Sequence, residues 1–169
     1  PRYQPGFEQV DTSVAACVSF YGIYDFRDRE RHWPHPGLRR LLERQVMKAT
    51  VEEAPEAYDQ ASPIMRITPE APPFLVVHGT HDTLVPVEAA RHFVATFRGI
   101  ARQPIVYVEL PGAQHAFEIF PSLRTALVLG GVERFLAWML SRREAAGVAP
   151  GATEPAASTP ADLRETMAG

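Results

Sequence analysis

An aspartate and a histidine in this sequence each follow a short apolar run, and together they could move a proton. Asp82 comes after the run FLVVHG, and His115 comes after PIVYVELPG. A neutral imidazole can take a proton from a hydroxyl group, while a carboxylate bound to its other nitrogen fixes the tautomer and stabilises the imidazolium. We therefore predict that Asp82 is the acid and His115 the base of a catalytic pair.

The apolar runs that precede these two residues have the length and composition of buried strands. A third run at 14–21 predicts another strand. Helical patterns at 87–99 and 122–142 alternate with the later runs, and this alternation is typical of parallel strands joined by helices. The predicted fold class is α/β, with three parallel strands and flanking helices. The loops after parallel strands meet at one edge of the sheet, so Asp82 and His115 are expected to lie together although 33 positions separate them.

Between the first and second predicted strands lies a charged segment, at about 25–60, that we interpret as a short helical cap insert. It contains a helical pattern at 37–49 and a second short helix at 51–59. We expect one face of the first helix to be buried, with Leu38, Leu41, Leu42 and Val46 on it.

The last part of the chain differs in composition from the rest. Residues 144–169 are rich in Ala, Pro, Gly, Ser and Thr and poor in large apolar side chains. Such a composition cannot bury enough apolar surface to fold, so we expect a disordered tail after a domain at 1–143.

Composition excludes several classes of function. The net charge of -3 and the pI near 6.1 leave no basic surface for nucleic acid. No uncharged apolar run is long enough to span a bilayer, so we expect no transmembrane segment. Cys17 is the single cysteine, which rules out an intrachain disulfide and makes a cytoplasmic location the default expectation.

The segment HGTHD offers two imidazoles and a carboxylate, which also suggests a metal site. A catalytic zinc site generally requires three well-oriented ligands on a fixed scaffold, and the turn after the strand already explains this pattern. We therefore predict no metal and no other cofactor.

HGTHDTLVP resembles the acid motif, and GAQHAF the histidine motif, of α/β-hydrolase serine esterases and lipases in the hormone-sensitive-lipase-like and feruloyl-esterase-like carboxylesterase groups. FYGIYDF and the tripeptide ASP at 61–63 also match positions in those enzymes. The resemblance covers about residues 1–143 and implies the C-terminal portion of an α/β-hydrolase fold. It assigns the acid to Asp82 and the base to His115, and it implies that Trp33, Val85 and Phe117 bind substrate, a small-molecule carboxylic ester.

The nucleophile of that family is the serine of G-x-S-x-G, and this sequence contains no such motif. The resemblance places the serine and the oxyanion-hole loop upstream of Pro1. We therefore expect the chain alone to be inactive, and the first strand to be an exposed edge that pairs with the missing N-terminal half of the hydrolase or with another copy. A peptidase or amidase of the same fold and a non-catalytic α/β-hydrolase-like module are the alternative functions.

Overall fold

The computed structural model describes residues 5–11, 13–34 and 36–147, and three parallel strands form its sheet. The spatial order of the strands is the order in the chain, with Phe20 opposite Val77 and Gly79 opposite Leu110. This arrangement confirms the predicted α/β fold. The strands are β1 (Cys17–Phe20), β2 (Phe74–Gly79) and β3 (Ile105–Leu110).

Helices connect and cover the strands. The insert after β1 contains a short α-helix that continues as a π-helix, and a second helix followed by a 3-10 turn. One helix lies between β2 and β3, and a long helix follows β3. These elements are α1 (Gly37–Leu41) with the π-helix Leu42–Met47, α2 (Pro55–Ala61) with the 3-10 turn Pro63–Arg66, α3 (Val87–Ile100) and α4 (Leu123–Ala145).

Alternate residues of β2 supply the two faces of the core, as the two-residue period of a strand requires. On one face Val76 packs in a cluster with Phe93 and Phe97 of α3. On the other face Leu75 and Val77 pack with Phe135 and Met139 of α4. β2 is thus covered by a helix on each face, α3 on one and α4 on the other, and its carboxyl end leads into the loop that contains Asp82.

The first strand is shorter and less buried than the sequence predicts. β1 covers four residues rather than 14–21, every one of them is half-buried, and Val14 is 60% exposed. The physical reason is the position of the strand in the sheet. Among the described strands β1 pairs with β2 alone, so its other side remains an edge.

The predicted apolar face of the first helix in the insert is only partly buried. In the first helix of the insert Leu38 and Leu42 are buried, but Leu41 and Val46 are 45% and 55% exposed. Val46 lies in the π-helix, whose wider turn rotates it off the face that a 3.6-residue period predicts.

On α4, Leu127 is 64% exposed and lines an apolar groove of about 760 Å³ between this helix and the strands β2 and β3. The helix extends to Ala145, so the boundary expected at 143 falls inside its last turn. Residues 148–169 of the expected tail lie outside the described residues. Within the described ranges, no helix has the length and apolar character that a membrane crossing requires.

Candidate active site

The two residues of the predicted catalytic pair are in direct contact. Nδ1 of His115 lies 2.7 Å from Oδ2 of Asp82. A carboxylate can only accept, so Nδ1 carries the proton and Nε2 presents its lone pair. The Asp82 side chain is completely buried, whereas the His115 side chain is 26% exposed. The imidazole is thus oriented by a shielded charge and can still be reached from outside, as a general base requires.

The acid loop, residues 80–86 between β2 and α3, holds the carboxylate with its own backbone. Oδ1 of Asp82 accepts hydrogen bonds from the N–H groups of Leu84 at 2.9 Å and Val85 at 2.8 Å. One oxygen is therefore fixed by the loop and the other is left for His115. This division explains why the loop needs an aspartate here, since its short side chain reaches its own backbone two and three residues on.

His78, the next-to-last residue of β2, holds the same loop from inside. Its side chain is fully buried, and its Nε2–H donates to the carbonyl of Val85 at 2.8 Å. Burial lowers the pKa of His78, because the charged imidazolium loses its hydration, although the bond to Val85 and the nearby Asp82 act in the opposite direction. His78 is therefore a neutral donor that fixes the end of the acid loop.

The acid loop and the histidine loop, residues 111–121 between β3 and α4, are joined by backbone contacts. The N–H of His81 donates to the carbonyl of Ala113 at 3.0 Å, and the N–H of Gly112 donates to Oγ1 of Thr80 at 2.9 Å. Gly79 lies directly beneath, and a Cβ at this position would be 2.3 Å from the carbonyl oxygen of Ala113. The contact between Asp82 and His115 thus depends on close approach of two backbones.

Two residues that the sequence reasoning did not single out also lie beside His115. The ring of Tyr21, the first residue after β1, is 4.1 Å from the imidazole between centroids, and its hydroxyl donates to Oε1 of Glu118. The position of Tyr21 could have been noticed, because it follows a strand as Asp82 and His115 do. Nothing in the sequence links it to Glu118, which lies 97 positions away.

The three residues predicted to bind substrate lie in packed surroundings around the pair. Trp33 packs against a buried cluster of Leu38, Leu42 and Val85, and Val85 itself is 1% exposed. The ring of Phe117 lies edge-on to those of Phe20 and Tyr21, at 5.9 and 6.2 Å between centroids. Contact of Trp33, Val85 and Phe117 with substrate stays a prediction.

A cleft of about 370 Å³ lies between the insert and the acid loop. His32 and Pro34 line it from the insert, and Thr80, Asp82 and Thr83 line it from the loop. It brings the insert to the edge of the sheet that carries the acid.

Four serine hydroxyls in the described part of the chain have structural partners. Ser19 bonds to the hydroxyl of Tyr24 at 2.8 Å, and Ser122 accepts from the N–H of Thr125 as the N-cap of α4. Ser62 donates to the carbonyl of Tyr58, and Ser141 to that of Trp138. All four hydroxyl groups thus make hydrogen bonds that stabilise the fold.

The segment HGTHD does not form a ligand set. Nε2 of His78 is directed to the carbonyl of Val85, and His81 is exposed. Across residues 5–11, 13–34 and 36–147, no three His, Cys, Asp or Glu side chains are grouped as a metal site would require.

Comparison with solved structures agrees with this fold. The native Est2 esterase of Thermogutta terrifontis superposes with a TM-score of 0.55 over 82% of this chain and 45% of the esterase, at 22% identity. Its propionate-bound form gives a TM-score of 0.57 over 86% and 48%, at 21% identity. The parallel sheet, with an acid and a histidine on neighbouring strand-end loops, is the C-terminal part of an α/β-hydrolase fold.

Sequence comparison defines the group within that fold. The BD-FAE family model matches residues 2–97, and the chain belongs to this family. The match includes Asp82 and ends before His115.

Two relatives come from Mycobacterium tuberculosis. The probable carboxylic ester hydrolase LipM is 47% identical over 95% of this chain and 36% of its own length. The esterase LipC is 44% identical over 80% of this chain and 34% of its own length. The chain thus spans about a third of the length of these relatives.

Proposed function

We propose that residues 1–169 supply the acid and the base of a serine hydrolase that cleaves small-molecule carboxylic esters. The observation that carries this proposal is the 2.7 Å contact between His115 and the buried Asp82. An imidazole held in this tautomer takes the proton of an attacking serine, and afterwards returns it to the leaving alcohol. The names of LipM and LipC, both esterases, support the choice of substrate class.

The serine of this triad is proposed to lie outside residues 1–169, because the sequence has no G-x-S-x-G motif. Without a nucleophile and an oxyanion hole, the chain has no covalent route and little stabilisation of the tetrahedral intermediate. We therefore expect the chain alone not to turn over esters.

Turnover of a p-nitrophenyl ester tests both parts of the proposal. The chain 1–169 is compared with the protein encoded when the reading frame is extended upstream of Pro1. We expect activity only in the extended protein, and loss of it in His115→Ala but not in His81→Ala, whose histidine is exposed on the neighbouring loop. Turnover by the chain alone that disappears in His115→Ala would overturn the expected inactivity.

An extended frame that lacks G-x-S-x-G and shows no turnover would favour the non-catalytic module instead. A parallel panel of ester and amide substrates distinguishes the esterase from a peptidase or amidase of the same fold.

The polypeptide that carries the serine is also the proposed partner of β1. Within the described residues β1 pairs with β2 alone, and an unpaired apolar edge favours association with another chain or with a further part of the same chain. We expect chain 1–169 to self-associate as its concentration rises, which sedimentation velocity measures. A compact monomer at every concentration would contradict this.

A further inference from the structure

We propose that Tyr21 is a positioning residue for His115. The Tyr21 ring lies against the imidazole, and its hydroxyl ties the histidine loop to the end of β1 through Glu118. This inference rests on the proposed function in one respect, the catalytic use of His115. The orientation of the imidazole itself can be measured without turnover.

The first support is that Tyr21 is held in place by the sheet. Its N–H donates to the carbonyl of Val77 at 2.9 Å, so β2 fixes the backbone of Tyr21 just beyond the last residue of β1. Its ring then lies 4.1 Å from that of His115, with an angle of 52° between the two planes. A ring anchored to the central strand is a rigid surface against which the imidazole can rest.

The second support is the bond between the Tyr21 hydroxyl and Glu118. Burial, followed by the bond to Glu118, raises the pKa of Tyr21 to about 12, so the hydroxyl stays protonated and donates. The other oxygen of Glu118, Oε2, is buried and has no hydrogen-bond partner among the described residues. Tyr21 is therefore the donor that compensates this carboxylate for lost hydration, and losing it would leave the carboxylate poorly solvated.

The third support is backbone strain on both sides of the contact. Tyr21 has a φ of +38° and Ala116, directly after His115, has a φ of +56°. Residues other than glycine adopt such values only at an energetic cost, and they keep them only where their surroundings hold them. The Tyr21–Glu118 bond spans these two strained positions, and it is suited to holding the histidine loop in this shape.

The ¹⁵N resonances of the His115 ring, followed across pH in chain 1–169, test the proposal directly because they report both tautomer and pKa. Tyr21→Phe removes the hydroxyl and keeps the ring, whereas Glu118→Gln keeps an acceptor and removes the charge. Tyr107→Phe is the matched control, since it breaks another tyrosine–glutamate bond, to Glu109 at 2.9 Å, away from the pair.

In Tyr21→Phe we expect the population of the Nδ1–H tautomer of His115 to fall roughly threefold relative to the Nε2–H tautomer. Glu118→Gln is expected to lower this population ratio in the same way but by less, and Tyr107→Phe to leave it unchanged. If Tyr21→Phe does not fold, Glu118→Gln decides alone. A His115 tautomer ratio identical to that of the parent chain in every folded variant would overturn the proposal.

In the serine-bearing hydrolase, Tyr21→Phe is expected to lower kcat roughly tenfold while KM stays within about twofold, as displacement of a catalytic group does. A fall in kcat with an unchanged His115 tautomer ratio would indicate a merely structural role and overturn the positioning. A changed tautomer ratio in a protein without esterase activity would overturn the proposed function and leave the positioning intact.

Discussion

Gly79 lies so close to Ala113 that a side chain on the first residue would strike the backbone of the second. A Cβ on Gly79 would be 2.3 Å from the carbonyl oxygen of Ala113 and 2.7 Å from its carbon. The same carbonyl accepts from the N–H of His81, so it cannot move without loosening the acid loop. This approach between the ends of β2 and β3 sets the distance between Asp82 and His115.

Gly79→Ala is therefore expected to destabilise the chain by about 1–3 kcal/mol or more, because the obstruction is backbone rather than a flexible side chain. Urea unfolding followed by circular dichroism measures the change. Gly99→Ala is the control, since a Cβ there meets nothing within 4 Å and it lies inside α3, where alanine is expected to be neutral or to stabilise by about 0.4–1 kcal/mol. Equal unfolding midpoints for the two variants would contradict the prediction.

Ser62, directly after the insert, ties the two ends of the insert together. It is fully buried, accepts from the N–H of Phe26 at 2.9 Å and donates to the carbonyl of Tyr58 at 2.7 Å. Ser62→Ala leaves a half-buried N–H without this acceptor, which is expected to cost about 1–3 kcal/mol in the free energy of unfolding. Ser141→Ala, at an exposed serine of α4, should stay within about 0.5 kcal/mol of the parent. If Ser62→Ala lowers the free energy of unfolding as little as Ser141→Ala does, the N–H of Phe26 has found another hydrogen-bond acceptor.

His78 is expected to make the stability of the fold fall in mildly acidic solution. Its pKa is lowered from 6.5 in the folded chain, chiefly by burial, so below that pH the unfolded chain binds a proton that the folded chain resists. The contribution of His78 is complete above about pH 6.5 and is lost as the pH falls from there towards its folded pKa. Urea midpoints across this window should decline less in His78→Gln, in which the amide can still donate to Val85, than in the parent.

His81→Gln, at an exposed histidine of the acid loop, is the control for that comparison and should follow the parent. The carboxylate of Glu109 titrates in a lower window, because hydrogen bonds from Arg91 hold its pKa at about 2. The contribution of Glu109 to the free energy of unfolding is lost between pH 4.5 and about 2, below the pH range in which His78 acts. If the urea midpoints of the parent and of His78→Gln decline in parallel as the pH falls, the assigned role of His78 is contradicted.

Asp82→Asn is expected to disturb the tautomer of His115 more than its position. The amide group can preserve the loop through its oxygen, with Leu84 and Val85 as donors, but it then presents an N–H to Nδ1 and favours the tautomer protonated at Nε2. In the serine-bearing hydrolase we expect kcat to fall by about 10⁴, the order known for such a change in a serine protease. Asp59→Asn, in the ion pair with Arg27 on the insert, should change kcat little. A small effect of Asp82→Asn would mean that His115 is oriented by other groups.

The sequence was sufficient for the three parallel strands and for the two strand-end loops that bring Asp82 and His115 together, because each depends on local pattern. The roles of the two residues as acid and base stay predictions. A buried run ending in glycine and followed by an acid specifies a strand-end loop wherever the strand lies. It was not sufficient for β1, since the burial of a strand depends on how many neighbours it has. Tyr21 was not predicted for a related reason. Its role depends on a backbone φ of +38° and on Glu118, which follows two further strands in the chain.

The hydrogen bonds between the acid loop and the histidine loop have a practical consequence. They join β2 to β3 within one polypeptide, so Asp82 and His115 meet through contacts that this chain makes by itself. If the proposed function holds and the serine is supplied on a separate polypeptide, that polypeptide would be a nucleophile half and this chain a relay half. If each half were fused to one of two interacting proteins, ester turnover would return only when those proteins bind each other. The chain would then serve as one part of a split-enzyme reporter.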